Sequence, residues 1–143
     1  MVSQSTLKRI KRFEIALEKL KRISKLKFSE YDTDTDKQDI AERNLQIATE
    51  AIVDIGQRII SLKGWEIPET YKDVINVLER NKVIEKRLSE RMKELVSMRN
   101  IIIHAYAEIK NELVYEALKT EIPTLNKVLR ILLEFCEANR IDP

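Results

Sequence analysis

The sequence predicts an all-α protein, an up-and-down bundle of four to five helices, and three observations carry that prediction. Its 143 residues include only two Gly and three Pro, too few to supply the turns of a sheet protein. Lys, Glu, Leu, Ile, Ala and Arg dominate instead, a composition that favours helix. Apolar residues recur every three or four positions over long stretches, which is the spacing of one helix face. No break in composition divides the chain, so residues 1–143 are expected to form a single helical domain, long enough to bury a core.

Taken in order, Leu7, Ile10, Phe13, Leu17, Leu20 and Ile23 mark a first helix from about residue 4 to 27. Ser29 to Asp36 is rich in Asp, Ser and Thr and is expected to be a loop, ending in an N-cap at Thr35 or Asp36. A second helix follows from about 36 to 63, burying Ala48, Ile52, Ile55, Ile59 and Leu62, with Ala41, Ala48, Ala51 and Gly56 permitting close helix contact. Gly64 ends it. Pro68 suits the first position of a short helix carrying Tyr71, Val74, Ile75 and Leu78, which Asn81 stops. Another helix runs from near Ile84 to about Ile109, and Asn111 is expected to cap the next. Pro123 kinks or restarts that helix, and the last one uses Leu125, Val128, Leu129, Leu132, Leu133 and Cys136.

The net charge of +2 does not advertise a nucleic-acid binder, but its distribution is uneven. Residues 1–27 carry a net +7 and residues 28–54 a net −6, which suits two oppositely charged helices packed as an antiparallel hairpin. The basic helix is also able to face an anionic partner. Asp32, Asp34 and Asp36 alternate as in a calcium loop, yet the glycine and closing glutamate such a loop needs are missing, so no metal site is expected. Cys136, the sole cysteine, reads as a structural thiol on the last helix. The chain opens Met-Val-Ser-Gln-Ser without an apolar leader, and no run reaches the ~20 apolar residues of a membrane span, so a cytoplasmic protein with no membrane contact is expected.

The stretch Arg99-Asn-Ile-Ile-Ile-His-Ala-Tyr106 departs from this pattern, placing four polar groups where core is due. On a helix of about 100° per residue, Arg99, Asn100, His104 and Tyr106 all project from one broad side. One reading is a buried His and Arg satisfied by neighbouring helices, which would seal both faces of the stretch in the assembled protein. The other is a site. An imidazole exchanges protons near neutrality, and a guanidinium grips phosphate oxygens through two donors. Together they form a minimal kit for cleaving RNA without metal or other cofactor. His104 moves the proton, Arg99 holds the phosphate, Asn100 orients the ring or substrate, and a 2′,3′-cyclic phosphate results. A single histidine is short of the two proton-transfer groups such chemistry uses, and a twofold homodimer would supply the second.

The stretch from Ala41 to Gly56, with Tyr71-Lys-Asp-Val, Arg99 to Tyr106 and Val114-Tyr115, closely resembles the HEPN superfamily, and within it the HepT-like ribonuclease toxins, over about residues 5–138. The family motif is Arg, a polar residue, a spacer, His, one residue and Tyr, and Arg99, Asn100, His104 and Tyr106 fill its places. The resemblance implies a helical-bundle homodimer acting as a metal-independent toxin endoribonuclease, with Arg99 and His104 as the catalytic pair in a cleft at the dimer interface. It also implies a minimal nucleotidyltransferase antitoxin that neutralises the toxin by transferring AMP to Tyr106. Bulk and negative charge there would exclude RNA. The alternative from another class is a non-catalytic module that binds the nucleotidyltransferase.

Overall fold

A computed structural model of the protein describes residues 2–143, the side chain of Tyr106 excepted. Its elements in order are α1 (Gln4–Ser24), α2 (Phe28–Asp32), α3 (Thr35–Lys63), α4 (Tyr71–Arg80), α5 (Lys86–His104), a 3₁₀ turn (Tyr106–Glu108), α6 (Asn111–Thr120) and α7 (Ile122–Ala138). Among the described residues there is no strand. The long helices α1, α3, α5 and α7 make the bundle, as the apolar periodicity predicts.

Helix α3 is the axis of the fold, touching all the other α-helices and packing most extensively on α1. Its buried face runs through Ala41, Leu45, Ala48, Ile52, Ile55 and Ile59, each no more than 1% exposed. Full burial of one such Leu or Ile contributes about 1.5–3 kcal/mol. Small residues bring neighbours close, and Gly56 is the clearest case. A Cβ built there would lie 2.9 Å from Leu78 Cδ1 and 3.0 Å from Val74 Cγ1, so α4 rests directly on the α3 backbone. Gly64 ends α3 at φ +67°, a left-handed conformation that glycine adopts without strain.

Several local expectations are corrected. The first helix stops at Ser24, and Phe28–Asp32, expected to be loop, forms α2. There Tyr31 is fully buried, its ring 5.7 Å from that of Tyr115, and the Glu30 carboxylate accepts the Lys27 N–H at 3.2 Å. Burial of that ring outweighs the turn propensity of its neighbours. Asp34, not Thr35 or Asp36, caps α3, accepting from the Lys37 N–H at 3.2 Å. Pro68 stays outside α4, which starts later because the Thr70 hydroxyl accepts the Asp73 N–H at 3.1 Å. The fifth helix begins at Lys86, past Ile84. Asn111 does not cap α6; its amide instead donates to Asp32 at 2.9 Å and ties α6 to α2. Pro123 restarts the chain as α7 rather than kinking it. Leu7 and Leu62, assigned to buried faces, are about half exposed, and Thr6 takes the inward place on α1, where it donates to the Pro143 carbonyl.

Charge pairing also differs from expectation. Helix α3 does run back along α1, bringing Asp54 beside Arg9. Yet the three ion pairs among the described residues are Arg80–Glu66, Arg91–Glu121 and Arg99–Glu50, and none joins α1 to the acidic segment. The hairpin is held by its apolar seam, since exposed charges gain little from pairing in water.

Candidate functional site

The polar stretch occupies the last turn and a half of α5, and its helix ends sooner than periodicity suggests. Ala105 leaves helical geometry at φ −144°, ψ 54°, and the Glu108 N–H then closes the 3₁₀ turn on the Ala105 carbonyl at 2.8 Å. The break turns the chain so that Ile109 packs on the core and Val114 is buried. Tyr106 therefore belongs to the 3₁₀ turn, and the common helical face assigned to it with Arg99 does not extend that far. Where its phenol points lies outside the described residues.

Arg99 is held from three sides. Its Nε–H donates to Glu50 Oε2 at 2.7 Å, and Nη2 lies 2.7 Å from the same oxygen. Nη1 donates to Asn100 Oδ1 at 3.1 Å, and the guanidinium carbon sits 4.5 Å from the centroid of the Tyr71 ring. Gln46 Nε2 donates to Glu50 Oε2 at 3.2 Å, bracing the carboxylate from one turn earlier on α3. The Arg99 side chain remains 16% exposed and that of Glu50 28%. Contacts to a carboxylate, an amide oxygen and an aromatic face fix the guanidinium plane, and its remaining N–H groups have no hydrogen-bond partner among the described residues.

His104 closes α5 and is exposed. It stands five residues past Arg99, about 7.5 Å further along the helix axis. Its side chain makes no hydrogen bond among the described residues, and in the single chain it faces solvent. Asn100 joins Arg99 directly. The three isoleucines between them divide: Ile102 is buried, Ile103 half-buried and Ile101 40% exposed. Ile101 borders an apolar groove of about 260 Å³ together with Met98, Ile109 and Leu113, and Leu113 is itself 51% exposed.

Glu50, Gln46 and Tyr71 were not singled out from sequence for this site. Tyr71 appears there only on the apolar face of the short helix and within the family resemblance. The pairing of positions 50 and 99 spans two helices, and no local spacing signals it. Cys136 is buried on α7, with its thiol pushed up to about 11, first by burial and then by the Asp142 carboxylate, which fits a structural role. Among the described residues no three His, Cys, Asp or Glu side chains gather as a metal site would need, and no helix is long and apolar enough to cross a membrane.

Four long helices with an Arg-Asn pair and an exposed His at the end of the third define a HEPN-type helical bundle. The chain belongs to the Ribonuclease HepT-like family, which matches residues 13–132. Among curated relatives it is similar to the mRNA nuclease HepT of Shewanella oneidensis, 28% identical over 104 residues, covering 73% of this chain and 78% of that protein. The tRNA nuclease HepT of Aphanizomenon flos-aquae is 27% identical over 103 residues, covering 71% and 69%. Among solved structures, the tri-AMPylated Shewanella oneidensis HEPN toxin in complex with MNT antitoxin superposes with a TM-score of 0.85 at 22% identity, covering 93% of this chain and 99% of that one. The cytosolic protein YutE of Bacillus subtilis gives 0.82 at 19% identity, covering 96% and 93%.

Proposed function

We propose that this chain is the toxin endoribonuclease of a toxin-antitoxin system, with Arg99 and His104 as its catalytic pair. The observation that carries the reading is the clamped guanidinium of Arg99 with free donors, followed one and a half turns later by an exposed imidazole. Family membership and relatives named as mRNA and tRNA nucleases support it. In this mechanism Arg99 binds the non-bridging oxygens of the scissile phosphate and stabilises charge developing on them. One imidazole takes the 2′-hydroxyl proton as the 2′-oxygen bonds to phosphorus. The bond to the 5′-oxygen breaks, and that oxygen receives a proton from a second imidazole. A 2′,3′-cyclic phosphate and a free 5′-hydroxyl remain, and no metal is required. Asn100 assists by orienting Arg99.

The second imidazole is His104 of a twofold-related copy. The apolar groove beside Ile101 and Leu113 is the surface for that contact, because Ile101 on its wall stands three residues before His104 on α5 and the groove would otherwise leave large apolar side chains in water. Tyr106, two residues beyond His104, is the acceptor for AMP from a minimal nucleotidyltransferase antitoxin. The AMPylated toxin complexed with MNT antitoxin among the similar structures supports this pairing.

Purified protein is expected to cleave RNA in the presence of EDTA, and His104→Ala to lower the rate by about 10²–10⁴-fold while retaining the helical spectrum and melting temperature. Equal cleavage by that variant would sink the assignment of His104. Absence of cleavage by the native chain, together with stable binding to its nucleotidyltransferase, would favour the non-catalytic module instead.

A further inference from the structure

Helices α1 and α3 enclose a cleft of about 140 Å³, well above the ~10–15 Å³ that admits one water. Arg9 and Arg12 project into it from α1. Arg43, Ile47, Glu50 and Asp54, recurring every three or four residues, form its α3 wall. Glu50 is the residue that grips Arg99, so the cleft and the Arg99 site share a wall. Counting Arg99, four guanidinium groups surround two carboxylates. Among the described residues none of Arg9, Arg12 and Arg43 comes within 4 Å of a carboxylate. Arg9 Nη1 is shielded from solvent and has no hydrogen-bond partner among the described residues. A shielded guanidinium N–H without an acceptor is costly, and an anion seated in the cleft would supply one.

We propose that this cleft binds the phosphodiester backbone of single-stranded RNA, next to the phosphate held by Arg99. The proposal rests on the ribonuclease reading above for its choice of anion. Guanidinium forks match phosphate oxygens in shape as well as charge. No aromatic side chain lines the cleft, so it offers no platform on which bases would stack, and recognition there is of the backbone and indifferent to base sequence. The position also gives a use to the charge of α1, whose basic residues form no ion pair with α3 within 4 Å among the described residues. Asp54 stands on the same wall, its carboxyl raised above the usual range by burial while Arg9 beside it pulls the other way.

The test uses the full chain carrying His104→Ala, which separates binding from cleavage, and fluorescein-labelled single-stranded RNA titrated at several salt concentrations. Arg12 and Arg43 are exposed, so Arg12→Gln with Arg43→Gln leaves the core untouched; Arg9→Gln is added in a second variant, and melting temperature is checked for both. The double variant is expected to weaken binding at least tenfold and to reduce the slope of log K against log salt by about 1.4, from ~0.7 per phosphate contact on a single strand. In the chain with His104 restored, KM should rise with little change in kcat. Unchanged affinity and salt slope would overturn the proposal, as would loss of nucleotidyltransferase binding with RNA binding intact, which would make the cleft a protein interface. The two readings fail separately. A native chain that cleaves RNA, with a double variant of unchanged KM, removes the cleft and keeps the ribonuclease. A chain that binds RNA through these arginines and never cleaves it does the reverse.

Discussion

At the scale of single residues, the site depends on Glu50 at least as much as on the motif that draws the eye. Arginine is long and rotamer-rich, and fixing it costs about 1.5–2 kcal/mol of side-chain entropy. Here that cost is met before substrate arrives, by a carboxylate at 2.7 Å, an amide oxygen at 3.1 Å and the face of Tyr71. In the proposed mechanism Glu50 is therefore a positioning residue. Glu50→Gln keeps the shape and removes the charge, so kcat for RNA cleavage should fall about tenfold. KM should hold or drop, because one carboxylate fewer opposes phosphate. A rise in KM at constant kcat would instead make Glu50 part of substrate binding and overturn this role. The motif residues themselves were legible in sequence because Arg99, Asn100 and His104 interrupt an apolar face. Glu50 was not, since an acidic residue on a charge-rich helix looks like any solvated one.

At the scale of elements, the close approach of α4 to α3 sets where Tyr71 stands over Arg99. Gly56 permits that approach. A bare Cβ at position 56 would gain about 0.5–1 kcal/mol in helix propensity and lose a comparable amount in displacing Leu78, so Gly56→Ala nearly cancels. Gly56→Val has no such balance. It adds further methyl groups against Val74 and Leu78, both fully buried, and chemical denaturation should show about 2–3 kcal/mol of lost stability. Native stability in the Val variant would mean that α4 is free to move away from α3. Helix existence and type were readable from apolar spacing throughout. Boundaries were less so where a side chain settled them through a partner far away in sequence. Tyr31 converted a turn-rich segment into α2 by packing on Tyr115, and Asn111 left its cap to bond Asp32.

At the scale of the molecule, one chain holds one clamped arginine and one exposed imidazole, which in the proposed mechanism is half of what two proton transfers need. The apolar groove bordered by Ile101, three residues before His104, is where the second half is expected. Ile101→Asp combined with Leu113→Asp should convert a dimer to a monomer in sedimentation and remove cleavage by about 10²-fold or more. Both side chains are exposed in the single chain, so its fold should change by no more than about 0.5 kcal/mol. A double variant that stays dimeric, or a monomer that cleaves normally, would move the interface elsewhere or dispense with the second histidine.

The sequence by itself determined the all-helical bundle, the order of its long helices and the polar stretch from Arg99 to His104. Periodicity, caps and the scarcity of glycine and proline act over a few residues and can be read in line. Only the tertiary structure decided that Glu50 and Tyr71 clamp Arg99, that His104 faces solvent, that the helix stops before Tyr106, and that Arg9 and Arg12 of α1 line a cleft against α3. Each of these depends on which faces of distant segments meet once the core has closed, and burial of apolar surface, which sets those meetings, carries no local mark in the chain.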